Sequence, residues 1–225
     1  MHTPYDQIFV RNRAWVRETV ARDPDYFTQL ADKQQEPHFL FIGCSDSRVP
    51  ATVITGTGPG EMFVHRNIAN LVVPTDFNML SVVQYAVDVL RVKDIIVCGH
   101  THCGAMDGLL HPEKVAGLPS VAAWLEHAAT TRRIVEDHYA HLPDDRKLVA
   151  AVEENVLVQL EHVRTIPAVA SRLRRGDLHL HGWVYKIETG EVFAYDLETQ
   201  EFSAISEHAV VTGAERRTRT ALAGI

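Results

Sequence analysis

Two short stretches of the sequence place sulfur and imidazole side chains where they could bind one metal ion. Cys44 directly follows an apolar run, and His100 and Cys103 stand three positions apart after a later run. Thiolate and imidazole together are ligands that suit Zn²⁺. Three protein ligands leave a fourth coordination position open, which is typical of catalytic rather than structural zinc. The pattern therefore predicts one zinc ion per chain, held by Cys44, His100 and Cys103.

Each half of this pattern also has an ordinary structural interpretation. A cysteine at the end of a strand is commonly a small core residue, and an isolated His-x-x-Cys is weak evidence for a metal. Cys98 lies inside the strand that precedes His100, so we interpret it as a core residue. His102 is expected to point away from the face that His100 and Cys103 share.

A carboxylate and a guanidinium lie beside the first cysteine. Asp46 and Arg48 are two positions apart, close enough to form an ion pair. Such a pair on a protein surface contributes little, but near a metal an arginine fork keeps the aspartate ionised. Asp46 could then accept a hydrogen bond from zinc-bound hydroxide and orient it toward an electrophile. Two thiolate ligands cancel the charge of zinc and make it a weaker acidifier of water, so activity should rise toward alkaline pH.

The elements that must position these residues follow from the apolar pattern. Residues 38–43, 62–65, 94–99 and 178–187 predict parallel strands, and residues 192–195 predict an antiparallel edge strand. Helices are predicted over 8–31 with an interruption at Asp23, over 78–90 as a buried helix, over 120–142, and over 147–174 with a break near Pro167. The last 20 residues are ambiguous. We expect an α/β fold: a mostly parallel four-stranded sheet with an antiparallel edge strand, flanked by helices, and an N-terminal helical arm.

This fold would gather the chemistry at one edge of the sheet. Ligands of open parallel sheets bind beyond the carboxyl ends of the strands. Cys44, Arg66 and His100 each stand at the end of a predicted strand, so we expect them to lie near one another.

Composition limits the class of protein and its partners. The chain has 225 residues and a formal net charge of -7, which argues against nucleic acid or an anionic membrane as the main partner. The sequence suggests neither a signal peptide nor a transmembrane helix, so a cytoplasmic location is expected. We expect a single domain over residues 1–225. Its arm, residues 1–36, has an apolar stripe that includes Ile8 and Trp15; a partner subunit should cover that stripe.

Five segments together resemble the β-class carbonic anhydrases. They are residues 43–50 (GCSDSRVP), 61–70 (EMFVHRNIAN), 80–88 (LSVVQYAVD), 98–104 (CGHTHCG) and 181–185 (HGWVY). The resemblance implies zinc-dependent reversible hydration of carbon dioxide to bicarbonate and a proton, with the Asp46–Arg48 pair as catalytic dyad. It further implies a substrate pocket, and dimers that often pair into tetramers. The pocket would contain Phe63, Tyr85, the backbone N–H of Gly104, and Gln35 from a partner subunit.

Within that family the chain resembles a bacterial subgroup that switches between two zinc states. In the closed state, Asp46 would leave Arg48 and bind zinc, which blocks catalysis. The subgroup has a regulatory bicarbonate pocket built from a tryptophan, an arginine and a tyrosine. Arg66 and Tyr185 match the last two, whereas Phe41 replaces the tryptophan and lacks its N–H donor.

Other functions remain open at this point. A non-catalytic zinc protein would need a fourth ligand, which Asp46, Cys98 or His102 could supply, but it would not need Arg48. A hydrolase with Cys44 as nucleophile in a phosphate-binding loop is disfavoured, because Asp46 would repel phosphate. A related hydrolase of carbon disulfide or another heteroallene could use the same zinc site.

Overall fold

The strongest apolar runs of the sequence form the centre of one six-stranded sheet. The computed structural model describes residues 3–205. The sheet has the order β2-β1-β3-β4-β5-β6. Its strands are β1 (Phe39–Cys44), β2 (Met62–Asn67), β3 (Asp94–His100), β4 (His179–Lys186), β5 (Glu191–Asp196) and β6 (Glu201–Ala204).

The strand pairing confirms the predicted sheet and adds a strand to it. β1 pairs in parallel with β2 and β3, and β3 pairs in parallel with β4, whereas β5 and β6 are antiparallel. The predicted edge strand β5 is therefore covered by β6. β6 has a weak sequence pattern, since Phe202 is its one large apolar residue; that ring packs against Tyr195 with centroids 5.2 Å apart.

Nine α-helices accompany the sheet in the described part of the chain. They are α1 (Pro4–Arg22), α2 (Tyr26–Asp32), α3 (Ala51–Thr55), α4 (Phe77–Gln84), α5 (Gly104–Leu110), α6 (Pro119–Leu125), α7 (Ala129–His138), α8 (Asp144–Thr165) and α9 (Pro167–Arg174). The predicted breaks at Asp23 and Pro167 are confirmed. The single helix expected over 120–142 is instead α6 and α7, separated by a short 3₁₀ turn over Glu126–Ala128. None of the helices within residues 3–205 combines the length and apolar character needed to cross a membrane.

The helix expected over 78–90 is present, but the expectation that it is buried holds for only one of its faces. α4 passes into a π-helical turn at Tyr85–Val89, where the N–H of Leu90 donates to the carbonyl of Tyr85. Met79 and Val83 are buried, but Tyr85 is 44% exposed and Val89 58% exposed. The apolar residues of this segment thus form a core face and a second face that residues 3–205 leave uncovered.

Glycines let α8 approach the strands that end near the predicted metal site. A Cβ atom at Gly99 would lie 2.9 Å from Val156 Cγ2, and one at Gly182 would lie 2.9 Å from Leu160 Cδ1. Both distances are too short for real carbon contacts. Close helix–sheet packing therefore fixes the end of β3, from which His100 projects.

The described part of the chain divides into two compact units, with the boundary between Glu36 and Pro37. In the first, Thr3 caps α1 by accepting from the Asp6 N–H, and Trp15 of α1 contacts Phe27 of α2 with centroids 5.3 Å apart. Ile8 is 60% exposed. The candidate site residues, apart from Gln35, all belong to the second unit.

Candidate active site

The three predicted metal ligands come together at the carboxyl ends of adjacent parallel strands. Cys44 ends β1, His100 ends β3, and Cys103 immediately precedes α5. Their ligand atoms all lie within 4.8 Å of one another, and all three residues are buried. The sheet places Cys44 and His100 close together. Gly43 pairs with Cys98 across β1 and β3, and the two ligands follow within two residues of that pair.

The two cysteine sulfurs lie within hydrogen-bonding distance of each other. The S–H of Cys103 donates to Cys44, which lowers the pKa of the Cys44 thiol and raises that of Cys103. Backbone N–H groups of Asp46 and Ala69 also donate to the Cys44 sulfur, and the first turn of α5 donates to Cys103. These donors stabilise sulfur anions, which are the form that binds a metal.

The imidazole of His100 is fixed with one nitrogen free. Its Nδ1–H donates to the carbonyl of Thr101 at 2.8 Å. The Nε2 atom is buried and has no hydrogen-bond partner within residues 3–205. A buried polar atom without a partner is costly, so this lone pair is explained by a ligand. Two sulfurs and one imidazole nitrogen, with this orphaned lone pair, fit a zinc ion.

Asp46 and Arg48 form the expected ion pair beside these ligands. Asp46 Oδ1 accepts from the backbone N–H and from Nε of Arg48, at 2.9 and 3.0 Å, and Oδ2 accepts from Nη2 at 2.7 Å. These hydrogen bonds hold the pKa of the Asp46 carboxyl well below its usual range. Asp46 Oδ2 also lies 3.8 Å from His100 Nε2, so an ionised oxygen faces the ligand cluster.

Arg66 holds the loop that carries Cys44 and Asp46. Its Nε donates to the carbonyl of Cys44 at 2.8 Å, and its Nη2 donates to the carbonyl of Asp46. Sequence reasoning placed Arg66 near the site but gave it a regulatory role. The contacts with the loop backbone had no sequence signal.

Phe41 and Tyr185 belong to a small apolar cluster on the face of β1 opposite to Cys44. Phe41 is fully buried and clusters with Ala51, Ile96 and Cys98, and Tyr185 packs against this cluster. The Phe41 ring lies over Gly43, where a Cβ atom would be only 2.5 Å from its Cε1. Glycine is therefore required immediately before Cys44.

The candidate substrate residues do not all belong to the same unit of the chain. The Phe63 and Tyr85 rings face each other with centroids 5.9 Å apart, and Gly104 begins α5 directly after Cys103. Gln35 lies in the first unit, in the irregular segment after α2.

The two residues that compete for a ligand role lie outside the cluster of ligand atoms. Cys98 is fully buried in β3, and burial raises the pKa of its thiol to about 12. His102 has a positive φ of 55° and a side chain that is 64% exposed; its Nε2 lies 3.7 Å from Glu188 Oε2. Sequence reasoning missed Thr101 and Glu188, whose side chains form a 2.6 Å hydrogen bond next to His100.

Comparison with known proteins agrees with this geometry. The carbonic anhydrase family profile matches residues 39–192. A carbonic anhydrase of Synechocystis sp. is 47% identical over 184 residues, 80% of this chain and 67% of the relative. A carbonic anhydrase of Pseudomonas aeruginosa is 44% identical over 188 residues, 82% of this chain and 84% of the relative.

Solved structures give the same result. The β-carbonic anhydrase CcaA superimposes with a TM-score of 0.83 at 44% identity, covering 89% of this chain and 99% of that chain. A tetrameric β-carbonic anhydrase from Sordaria macrospora superimposes with a TM-score of 0.79 at 34% identity, covering 84% of this chain and 95% of that chain. The chain therefore belongs to the carbonic anhydrase family, in its zinc-using β class.

Proposed function

We propose that this chain catalyses the zinc-dependent, reversible hydration of carbon dioxide to bicarbonate and a proton. One observation carries the proposal: Asp46, ionised by Arg48, lies 3.8 Å from the buried Nε2 of His100, which has no hydrogen-bond partner among the described residues. Cys44, His100 and Cys103 would hold the zinc ion. Bound there, zinc would supply a Lewis acid that lowers the pKa of water and so makes it a nucleophile.

Asp46 orients the attacking water. Its carboxylate stays ionised across the working pH range because Arg48 donates to both oxygens, so it can only accept a hydrogen bond. Accepting the water's hydrogen leaves an oxygen lone pair directed at the carbon of the substrate. Arg48 in turn fixes the carboxylate, and its Nη2 also donates to the carbonyl of His102 at 3.2 Å.

An apolar wall and a backbone donor complete the proposed substrate pocket. Phe63 and Tyr85 offer ring faces that bind carbon dioxide without competing polar groups. The Gly104 N–H, at the start of α5, would donate to a substrate oxygen as negative charge develops there. Gln35 of a partner subunit would supply a further polar contact. These roles are proposals from the family resemblance.

The proposed regulation is a movement of Asp46. It contacts Arg48 here, and in the closed state it would leave Arg48 and bind zinc. Phe41, Arg66 and Tyr185 mark the proposed bicarbonate pocket, weakened by the missing indole N–H. Since Arg66 binds the loop that bears Asp46, an anion that drew Arg66 away would free that loop.

We also propose a homodimer that can pair into a tetramer. The apolar stripe of α1 is exposed, as are Tyr85 and Val89. In the described part of the chain, no strand covers the outer edge of β2. Open edges and apolar faces of this kind are typical of subunit contacts. A cytoplasmic location is consistent with three free, buried cysteines.

The test is stopped-flow carbon dioxide hydration with a parallel measurement of zinc per chain. We expect one zinc per subunit, activity that rises toward alkaline pH, loss of activity on chelation, and recovery when zinc is restored. A fully zinc-loaded protein without hydration activity would support a non-catalytic zinc protein instead. Turnover of carbon disulfide in place of carbon dioxide would support the heteroallene hydrolase.

A further inference from the structure

The turn between the ligands His100 and Cys103 is held by side chains on the opposite side from Asp46. His100 donates its Nδ1–H to the carbonyl of Thr101, so the direction of that carbonyl decides where Nε2 points. The orientation of the imidazole therefore depends on what fixes Thr101.

Thr101 is fixed by three hydrogen bonds to the end of β4 and the turn that follows. Its N–H donates to the carbonyl of Tyr185 at 3.0 Å. Its hydroxyl donates to Glu188 Oε2 at 2.6 Å and accepts from the Ile187 N–H at 3.0 Å. Thr101 is 7% exposed, so few waters could replace these partners.

We propose that Glu188, acting through Thr101, is a positioning residue for the metal ligand His100. The Thr101 hydroxyl both donates to Glu188 and accepts from Ile187 in the conformation that points the Thr101 carbonyl at His100 Nδ1. Ligating histidines in general depend on the acceptor of their second N–H, and loss of such an acceptor weakens metal binding about 10- to 100-fold. Here that acceptor is a backbone carbonyl, so its own orientation must be set by other contacts.

This inference rests on the proposed zinc site. The proposed role of Glu188 differs from the roles of Asp46 and Arg48, because Glu188 contacts Thr101 and His102 and not the ligand atoms. Glu188 follows β4, its side chain is 46% exposed, and its second neighbour is the exposed imidazole of His102 at 3.7 Å. A role on the protein surface alone would leave metal affinity unchanged when Glu188 is replaced.

The experiment measures zinc affinity by competition with a chromophoric chelator in the full-length protein. Glu188→Ala removes the acceptor, and Thr101→Val removes the hydroxyl at nearly constant volume. Each should weaken zinc binding about 10- to 100-fold, and the double variant should be little weaker than either single one. Glu188→Gln and Thr101→Ser keep the hydrogen bond and should stay within about threefold of the unaltered protein.

Glu191→Ala is the matched control, since it removes an exposed carboxylate from the same hairpin without touching Thr101. The visible spectrum of the Co²⁺-substituted protein is a second readout. It should change in Glu188→Ala but not in Glu191→Ala, because its bands report ligand geometry.

Unchanged affinity in folded Glu188→Ala would overturn the inference, as would equal losses in Glu188→Ala and Glu191→Ala or in Glu188→Ala and Glu188→Gln. If Thr101→Val fails to fold, the half-exposed Glu188 variants decide. Failure of the unaltered protein to bind zinc would instead overturn the proposed function.

Discussion

Replacing Asp46 by asparagine separates the catalytic role of this side chain from its contribution to folding. The change keeps the shape but removes the charge and one acceptor oxygen. Oδ1 could still accept from the Arg48 backbone and Nε. The new amide nitrogen would face Nη2, a donor, where Oδ2 now accepts at 2.7 Å.

The expected effects on stability and activity differ greatly in size. One partly solvated hydrogen bond is lost, about 1 kcal/mol, which corresponds to a fall in Tm of about 2–4 °C for a chain of this length. Loss of the acceptor that orients water should lower the hydration rate about 10²- to 10⁴-fold. Zinc content should not change, because the metal ligands are intact.

The assay is stopped-flow hydration across pH with zinc content and thermal unfolding measured on the same samples. Asp137→Asn is the control, since Asp137 accepts from Arg133 at the same 2.7 Å but on the surface of α7. It should leave hydration unchanged. Because its pKa is lowered, Asp46 stays ionised above about pH 4, and its contribution to stability is lost only as the pH falls below that value. A zinc-loaded Asp46→Asn protein within tenfold of normal activity would refute this reasoning.

Four further predictions follow from the site and the exposed faces. Cys44→Ser should lose both zinc and activity, whereas Cys98→Ser should keep zinc and lose only stability; full zinc in Cys44→Ser would contradict the ligand assignment. Zinc binds cysteine as thiolate, so binding should release protons from the ligand thiols and affinity should rise with pH, up to about tenfold per unit for each proton released; calorimetry in buffers of different ionisation enthalpy measures this. Phe41→Trp should strengthen bicarbonate inhibition about tenfold to a hundredfold by restoring a donor, and should cost about 1–3 kcal/mol because the site is fully packed; inhibition no stronger than normal would show that position 41 does not govern the pocket. Light scattering at micromolar concentration should give at least the mass of a dimer, and a monomeric mass would refute the subunit contacts.

The sequence predicted the parts of the site that follow from strand geometry. Cys44 and His100 end parallel strands, and parallel strands deliver their carboxyl ends to one edge, so the convergence of the ligands was predictable. The Asp46–Arg48 pair was predictable from its spacing. The contacts that Arg66 makes were not, because the backbone carbonyls it binds are present at every position of a chain.

Other misses have similar physical causes. Tyr85 and Val89 continue an apolar pattern, and periodicity does not distinguish a core face from a face that another chain could cover. The Thr101–Glu188 contact joins two distant segments that only the pairing of β3 with β4 brings together. β6 was missed because it has only four residues and a single large apolar side chain, Phe202.

The contacts of Arg66 affect how freely the loop after β1 can vary in sequence. Arg66 donates to the main-chain oxygens of Cys44 and Asp46, which every residue type supplies. Exposed positions such as Ser45 can therefore change without loosening the loop, and even a different metal-binding side chain at position 44 would be presented on the same backbone. An insertion or deletion between Cys44 and Asp46 would displace one of the two oxygens. Natural and laboratory variants of this loop should accordingly tolerate substitutions far better than changes in length.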